Sequence, residues 1–170
     1  DCEGAIPLLR RYLVNTKITA YERLVGLVNL AACYIWNMDG IHGLSTLHQI
    51  WNLVDPNDPG QKLIRAYSIE LAAEMAIHTK NYSQAEDWVT SANRELAGTQ
   101  SRYEFYAKKW QSILRLLLAP QDHESLLALR QIRQEAIALT EWETARDCAF
   151  FEALALRNDS LFLETYNGTP

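Results

Sequence analysis

Apolar positions recur along this chain at helical spacing, and no stretch alternates polar and apolar residues long enough to demand a strand. Leu24, Leu27, Val28, Leu30, Ala31, Tyr34 and Ile35 follow i, i+3, i+4, i+7 spacing. Ile69, Ala72, Ala73, Ala76 and Ile77 do the same, as do Leu126, Leu129, Ile132, Ala136 and Leu139. Each set lays an apolar stripe along one side of a helix, and that stripe must be covered by another element. The pattern predicts eight helices at about 3–14, 20–38, 41–54, 61–79, 83–97, 101–118, 122–139 and 141–157, and a short ninth at 159–166. Connections this short predict antiparallel αα-hairpins.

Local signals place the helix ends. A Ser or Thr followed three residues later by Glu can satisfy two free backbone N–H groups reciprocally. This capping box is expected at Thr19–Glu22, Ser83–Glu86, Ser101–Glu104 and Thr140–Glu143, and Asp122 is expected to cap a further helix. Gly40 and Gly98 are expected to end helices in the left-handed conformation. Asp55-Pro-Asn-Asp-Pro-Gly60 is expected to be a breaker loop, because proline removes a donor and restricts its predecessor.

One phrase recurs. Residues 78–92 read His-Thr-Lys-Asn-Tyr-Ser-Gln-Ala-Glu-Asp-Trp-Val-Thr-Ser-Ala, with small residues at Ala85 and Ala92 and an apolar residue at Val89 between them. Small residues permit two helices to cross closely. Ala5, Gly43 and Ser125 fill the position of Ala85 in neighbouring segments, so anchors 5, 43, 85 and 125 lie 38, 42 and 40 residues apart. Leu30-Ala31 and Tyr34 supply a matching first-helix signature, and Thr140-Glu-Trp-Glu-Thr-Ala145 reads as another turn. Over residues 1–135 this pattern resembles a divergent tetratricopeptide repeat with units near 40 residues. It is similar to the sensor arrays of large LuxR-type, maltose-activator-like transcription regulators. The resemblance implies an all-α fold of antiparallel hairpins stacked in a right-handed superhelix, an α-solenoid. It implies one repeat domain over 1–170: a half repeat at 1–15, hairpins at 20–54, 61–97 and 101–139, and C-terminal helices at 141–166. The half repeat and the unfinished end imply a fragment of a larger protein.

Composition narrows the function classes. Scarcity of turn formers, 7 Gly and 5 Pro in 170 residues, argues against a many-stranded β fold. The net charge of −5 and the absence of any Lys/Arg cluster longer than a pair argue against direct nucleic-acid binding. No apolar run reaches the ~18 residues of a membrane span. Cys2, Cys33 and Cys148 are odd in number and far apart, which suits reduced thiols in a cytoplasmic protein.

Catalytic signatures are not found. There is no glycine-rich phosphate loop, no Gly-x-Ser-x-Gly elbow, and no metal-binding spacing among His42, His48, His78 and His123. Neither a metal nor a cofactor is expected. Cys148, between Asp147 and Ala149, is expected to be a buried structural thiol. Trp36 and Trp110 are candidates for ligand contact, set against ordinary core packing. On helix 61–79, Tyr67, Glu70, Glu74 and His78 fall in one row at spacings of 3, 4 and 4. By resemblance that row lines the groove, where it could hold a cation, a hydroxyl-rich ligand or a basic peptide. The alternative is a solvated face, and in either case Glu70→Ala and Glu74→Ala are expected to leave folding intact. The function expected is a non-catalytic partner-binding or effector-sensing module of a cytosolic protein, plausibly a bacterial transcription or signalling regulator. The other possibility is a structural scaffold for a multiprotein complex.

Overall fold

A computed structural model describes residues 2–55, 57–99 and 102–168. The hydrophobic stripes become nine α-helices, and no strand occurs among the described residues. These are α1 (Cys2–Leu13), α2 (Ala20–Trp36), α3 (Gly40–Leu53), α4 (Pro59–His78), α5 (Tyr82–Leu96), α6 (Arg102–Leu118), α7 (His123–Ala138), α8 (Trp142–Leu156) and α9 (Asp159–Asn167). The helices form two compact units, Asp1–Tyr103 and Glu104–Pro170.

In the first unit α2 packs against α1, α3 and α4, while α4 packs against α3 and α5. The core joins Leu24, Leu27, Val28 and Ile35 of α2 to Leu47 and Ile50 of α3 and Leu71 and Ala72 of α4. Trp51 and Trp88 pack beside it with tilted rings, centroids 5.1 Å apart and planes at 33°, and the Trp51 indole N–H donates to Ser68 Oγ at 2.7 Å. Gly43 sits where α3 crosses α2: a Cβ there would lie 3.0 Å from Ile35 Cγ1 and 3.7 Å from Tyr34 Cβ. Ala85, Val89 and Ala92 are all buried on α5, as the repeated phrase requires.

In the second unit α8 packs against α7 and α9, over a core that includes Trp110, Ile113, Leu129 and Cys148. Charge is buried here only with partners. The Lys109 ammonium lies 2.7 Å from Asp147 Oδ2, and the carboxylate of Glu152, 1% exposed, meets Arg130 Nε at 2.5 Å and Arg133 at 3.3 Å. Leaving such a charge alone in the interior would cost several kcal/mol (about 3–5).

Helix ends follow a rule that the capping-box reading only half captures. The Thr19–Glu22 box forms in full, and Asp122 caps α7 through the N–H groups of Glu124 and Ser125. Ser101 lies outside the described residues. Ser83 and Thr140 are not caps: α5 begins after Asn81 and α8 after Glu141, and neither of those residues makes a side-chain cap. The reason is a shared turn. Met38, Lys80 and Thr140 all take positive φ, each at 59°. In each case the next residue donates its N–H five residues back: Asp39 to Tyr34, Asn81 to Ala76 and Glu141 to Ala136, all at 2.8 Å. This is the Schellman ending, which satisfies the last carbonyls of one helix and leads directly into the next.

The same turn corrects a further expectation. Gly40 is not a left-handed terminator but the first residue of α3, and Met38 holds that conformation instead. Five residues after Met38, Lys80 and Thr140 stand small buried residues, Gly43, Ala85 and Ala145; Arg157 is also left-handed, with the Asn158 N–H donating to Ala153 at 2.9 Å, but Phe162 stands at that spacing after it. In the second unit the same turn joins α7 to α8, which pack together, and Ala145 near the start of α8 is buried. Ser125 is buried for another reason, as a partner of Asp122 at 2.6 Å. Gly98 does take φ +74°, just after α5. The breaker loop is shorter than expected, because Pro59 and Gly60 already belong to α4, capped by Asp58. No helix among the described residues is long and apolar enough to cross a membrane.

Candidate functional site

The row on α4 is continuous, but it is not the open strip its polarity suggests. α4 lies among α2, α3 and α5, so its polar side has neighbours too. Tyr67 is half-buried and stacks on Tyr103 with ring centroids 4.3 Å apart and planes 20° from parallel. Glu70 is 3% exposed and Glu74 8% exposed; only His78 at the helix end is open to solvent. The solvated-face alternative is therefore corrected. Glu70→Ala and Glu74→Ala each remove a buried side chain from a packed position, so both are expected to lower stability.

Electrostatics tie the row together. Burial pushes the Tyr103 hydroxyl above its ordinary range; Arg102 opposes the shift, and Tyr21 and Glu70 add to it. Tyr21, Tyr67, Glu70 and Tyr103 thus share one neighbourhood. Glu74 Oε1 lies 3.5 Å from His78 Nε2, one helical turn on, so the row ends in a carboxylate–imidazole pair. In a partly dry setting such charges act more strongly on a ligand than they would in water.

The two tryptophans separate. Trp36 stands in the last turn of α2 and is 48% exposed, free to contact a partner. Trp110 does not: it is 1% exposed in the core of the second unit, with Phe151 edge-on at 6.4 Å and the Lys109 ammonium 4.1 Å from its ring centroid. That placement removes Trp110 from the ligand-contact set, since a ligand could reach the ring only by unpacking the core. Cys148 is wholly buried, and burial pushes its thiol up to about 12, far from the thiolate a nucleophile needs.

Among the described residues no group of three or more His, Cys, Asp or Glu could hold a metal ion. The histidines are dispersed. His42 binds Asp39 at 2.8 Å and stacks on Tyr34, while His48 meets the edge of Trp51 at 5.0 Å.

No protein-family model, no curated protein and no solved structure matches the chain. The functional reading therefore stands on the geometry of the helices.

One feature of the first unit escaped the sequence reading. Between α1, α2 and α3 lies an open cleft of about 570 Å³, floored by leucines and flanked by Arg10 and Arg23. The signal was present, since both arginines face leucines at i+3 or i+4 (Leu13, Leu27). The packing of both α1 and α3 on α2 was not, and it is what brings residues of three helices around one concavity.

Proposed function

We propose that this chain is a tetratricopeptide-like helical-repeat module that binds a protein or peptide partner, or a small effector, and does no chemistry of its own. One observation carries the reading. In the first unit α2 packs on both α3 and α4, α3 packs on α4, and α4 packs on α5, with small residues at the Gly43 and Ala85 positions after identical turns. Successive hairpins related in this way have no buried face of their own, and they bury one by stacking. The first helices, α2 and α4, then present the binding side.

On that side His78 offers an exposed imidazole backed by Glu74, Tyr67 a half-buried ring and Trp36 an exposed aromatic contact, with the Glu70 carboxylate buried behind them. A cationic or hydroxyl-rich group is the chemistry this set recognises. Binding would bias the arrangement of the helices and so signal to whatever the module is joined to, in a cytosolic regulator of transcription or signalling. Only a difference in affinity between two arrangements is needed.

The test is site-specific photocrosslinking in the source cells, with the photoreactive residue placed at His78 and, as control, at exposed Lys62 on the same helix. A discrete adduct from position 78 that is absent from position 62, and lost in the Trp36→Ala background, is the expected result. Identical adduct patterns from both positions, or none from position 78, would contradict the reading.

A further inference from the structure

The cleft of the first unit has the chemistry of a site for a small amphipathic anion. Leu13, Leu27, Leu30 and Leu53 from three helices make it apolar, and among the described residues the charged groups lining it are the guanidinium groups of Arg10 and Arg23. Among the described residues no acidic one lines it, in a chain whose net charge is −5.

Both arginines are held in place by neutral partners. Arg10 Nε donates to the Tyr34 hydroxyl at 2.7 Å, with its guanidinium 5.6 Å from the Tyr34 ring centroid. Arg23 donates to the carbonyl oxygens of Leu13 at 2.6 Å and Asn15 at 3.3 Å, at the end of α1. Among the described residues no carboxylate lies within 4 Å of either guanidinium. Asp39 senses Arg10, but each of its oxygens already binds His42. Each arginine keeps further N–H donors, because a guanidinium carries five and these contacts use one and two. Fixed, uncompensated guanidinium groups beside an apolar floor favour an anion, and a planar carboxylate fits their fork.

Size selects the kind of occupant. On α2 the floor runs only from Arg23 to Leu30, about 10 Å at 1.5 Å per residue. The cavity volume falls in the range of small-molecule sites, roughly 300–1,000 Å³. A protein partner would need to bury roughly 800 Å² of this side, far more than two helical turns present.

We infer that the α1–α2–α3 cleft binds a small carboxylate bearing an apolar chain or ring, its carboxylate on Arg10 and Arg23 and its apolar part on the leucines. The inference does not depend on the α4 row. The cleft uses different residues, so either reading can fail without the other.

Calorimetric titration of the full chain at low ionic strength, with decanoate as probe, tests it. Saturable one-to-one binding of decanoate is expected, with decanol, acetate and decylamine each at least tenfold weaker. Arg10→Gln, which alters an exposed side chain, should weaken decanoate at least fivefold and leave decanol unchanged. Leu53→Glu, at an exposed rim position, should weaken it at least tenfold. Circular dichroism of both variants checks that the helices persist. Absence of saturable decanoate binding, equal binding of decanol, or an unchanged affinity in a folded Arg10→Gln chain would each overturn the inference. The comparison of four probes on the unaltered chain decides the matter even if a variant fails to fold.

Discussion

At the scale of single residues, two glycines that look alike in the sequence have different roles. Gly43 is there for closeness, since a methyl group would press 3.0 Å against Ile35, which is itself buried. Overpacking of this kind costs about 1–3 kcal/mol, against a helix-propensity gain of about 0.5–1 kcal/mol for Gly→Ala. Gly43→Ala should therefore lower stability by about 1 kcal/mol in urea unfolding. Gly40 has Met75 Sδ at 3.7 Å, an ordinary contact, and it sits in the first turn of α3. Gly40→Ala should be neutral or stabilising by up to about 0.5 kcal/mol. Equal effects from the two substitutions would mean that α2 and α3 do not cross at Gly43. The small residue at position 43 was legible in the sequence as part of a repeated phrase. The role of Gly40 was misread, because a glycine at a helix boundary suits either side of it.

At the scale of the element, the turn decides more than the cap. Four turns among the described residues hold a left-handed residue that is not glycine, Met38, Lys80, Thr140 and Arg157, and Thr140 is the most strained of them because its β-branch crowds the backbone at positive φ. Replacing it with glycine removes that strain, so Thr140→Gly should raise stability by about 1 kcal/mol, and Lys80→Gly by somewhat less. Both changes are measurable as a shift in the urea midpoint; a loss in both would show that these turns are not left-handed. The sequence concealed this because Ser83-Gln-Ala-Glu86 and Thr140-Glu-Trp-Glu143 match the capping-box spelling while falling one or two residues out of phase with the helices.

The genuine caps have a pH signature. Hydrogen bonds, first from the Ser125 hydroxyl and then from backbone N–H groups, hold the Asp122 carboxyl below its ordinary 3.8. The Gln61 side chain and backbone do the same for Asp58. A carboxyl with a lowered folded value contributes stability that is complete above the unfolded value and disappears as pH falls through the folded one. Stability should therefore decline below about pH 4. Asp122→Asn, which can still cap α7, should make that decline shallower while changing little at pH 7. An unchanged acid limb in chemical denaturation would mean that Asp122 does not cap α7 as an anion.

At the scale of the whole molecule, the number of helices and nearly all their bounds were legible, because a 3.6-residue apolar period survives any tertiary arrangement. The coverage of α4 was not legible. Periodicity says which residues share a face, and Glu70 and Glu74 share one with Tyr67, but their charge suggested water where neighbouring helices and Tyr103 supply protein. A helix packed on several sides loses the contrast between an inner and an outer face. The same limit hid the turn between α7 and α8: the 40-residue spacing drew the eye to Ser125, while the left-handed Thr140 leads into α8, where Ala145 is buried.

Left-handed turns at Met38, Lys80 and Thr140 each lead directly into the next helix, five residues before a small buried residue. Multidimensional NMR of the isotopically labelled chain tests this most directly. It predicts left-handed backbone shifts at Met38, Lys80 and Thr140, together with an Overhauser contact from the Gly43 α-protons to the Ile35 side chain. Right-handed or extended shifts at those three positions, with no Gly43–Ile35 contact, would contradict it.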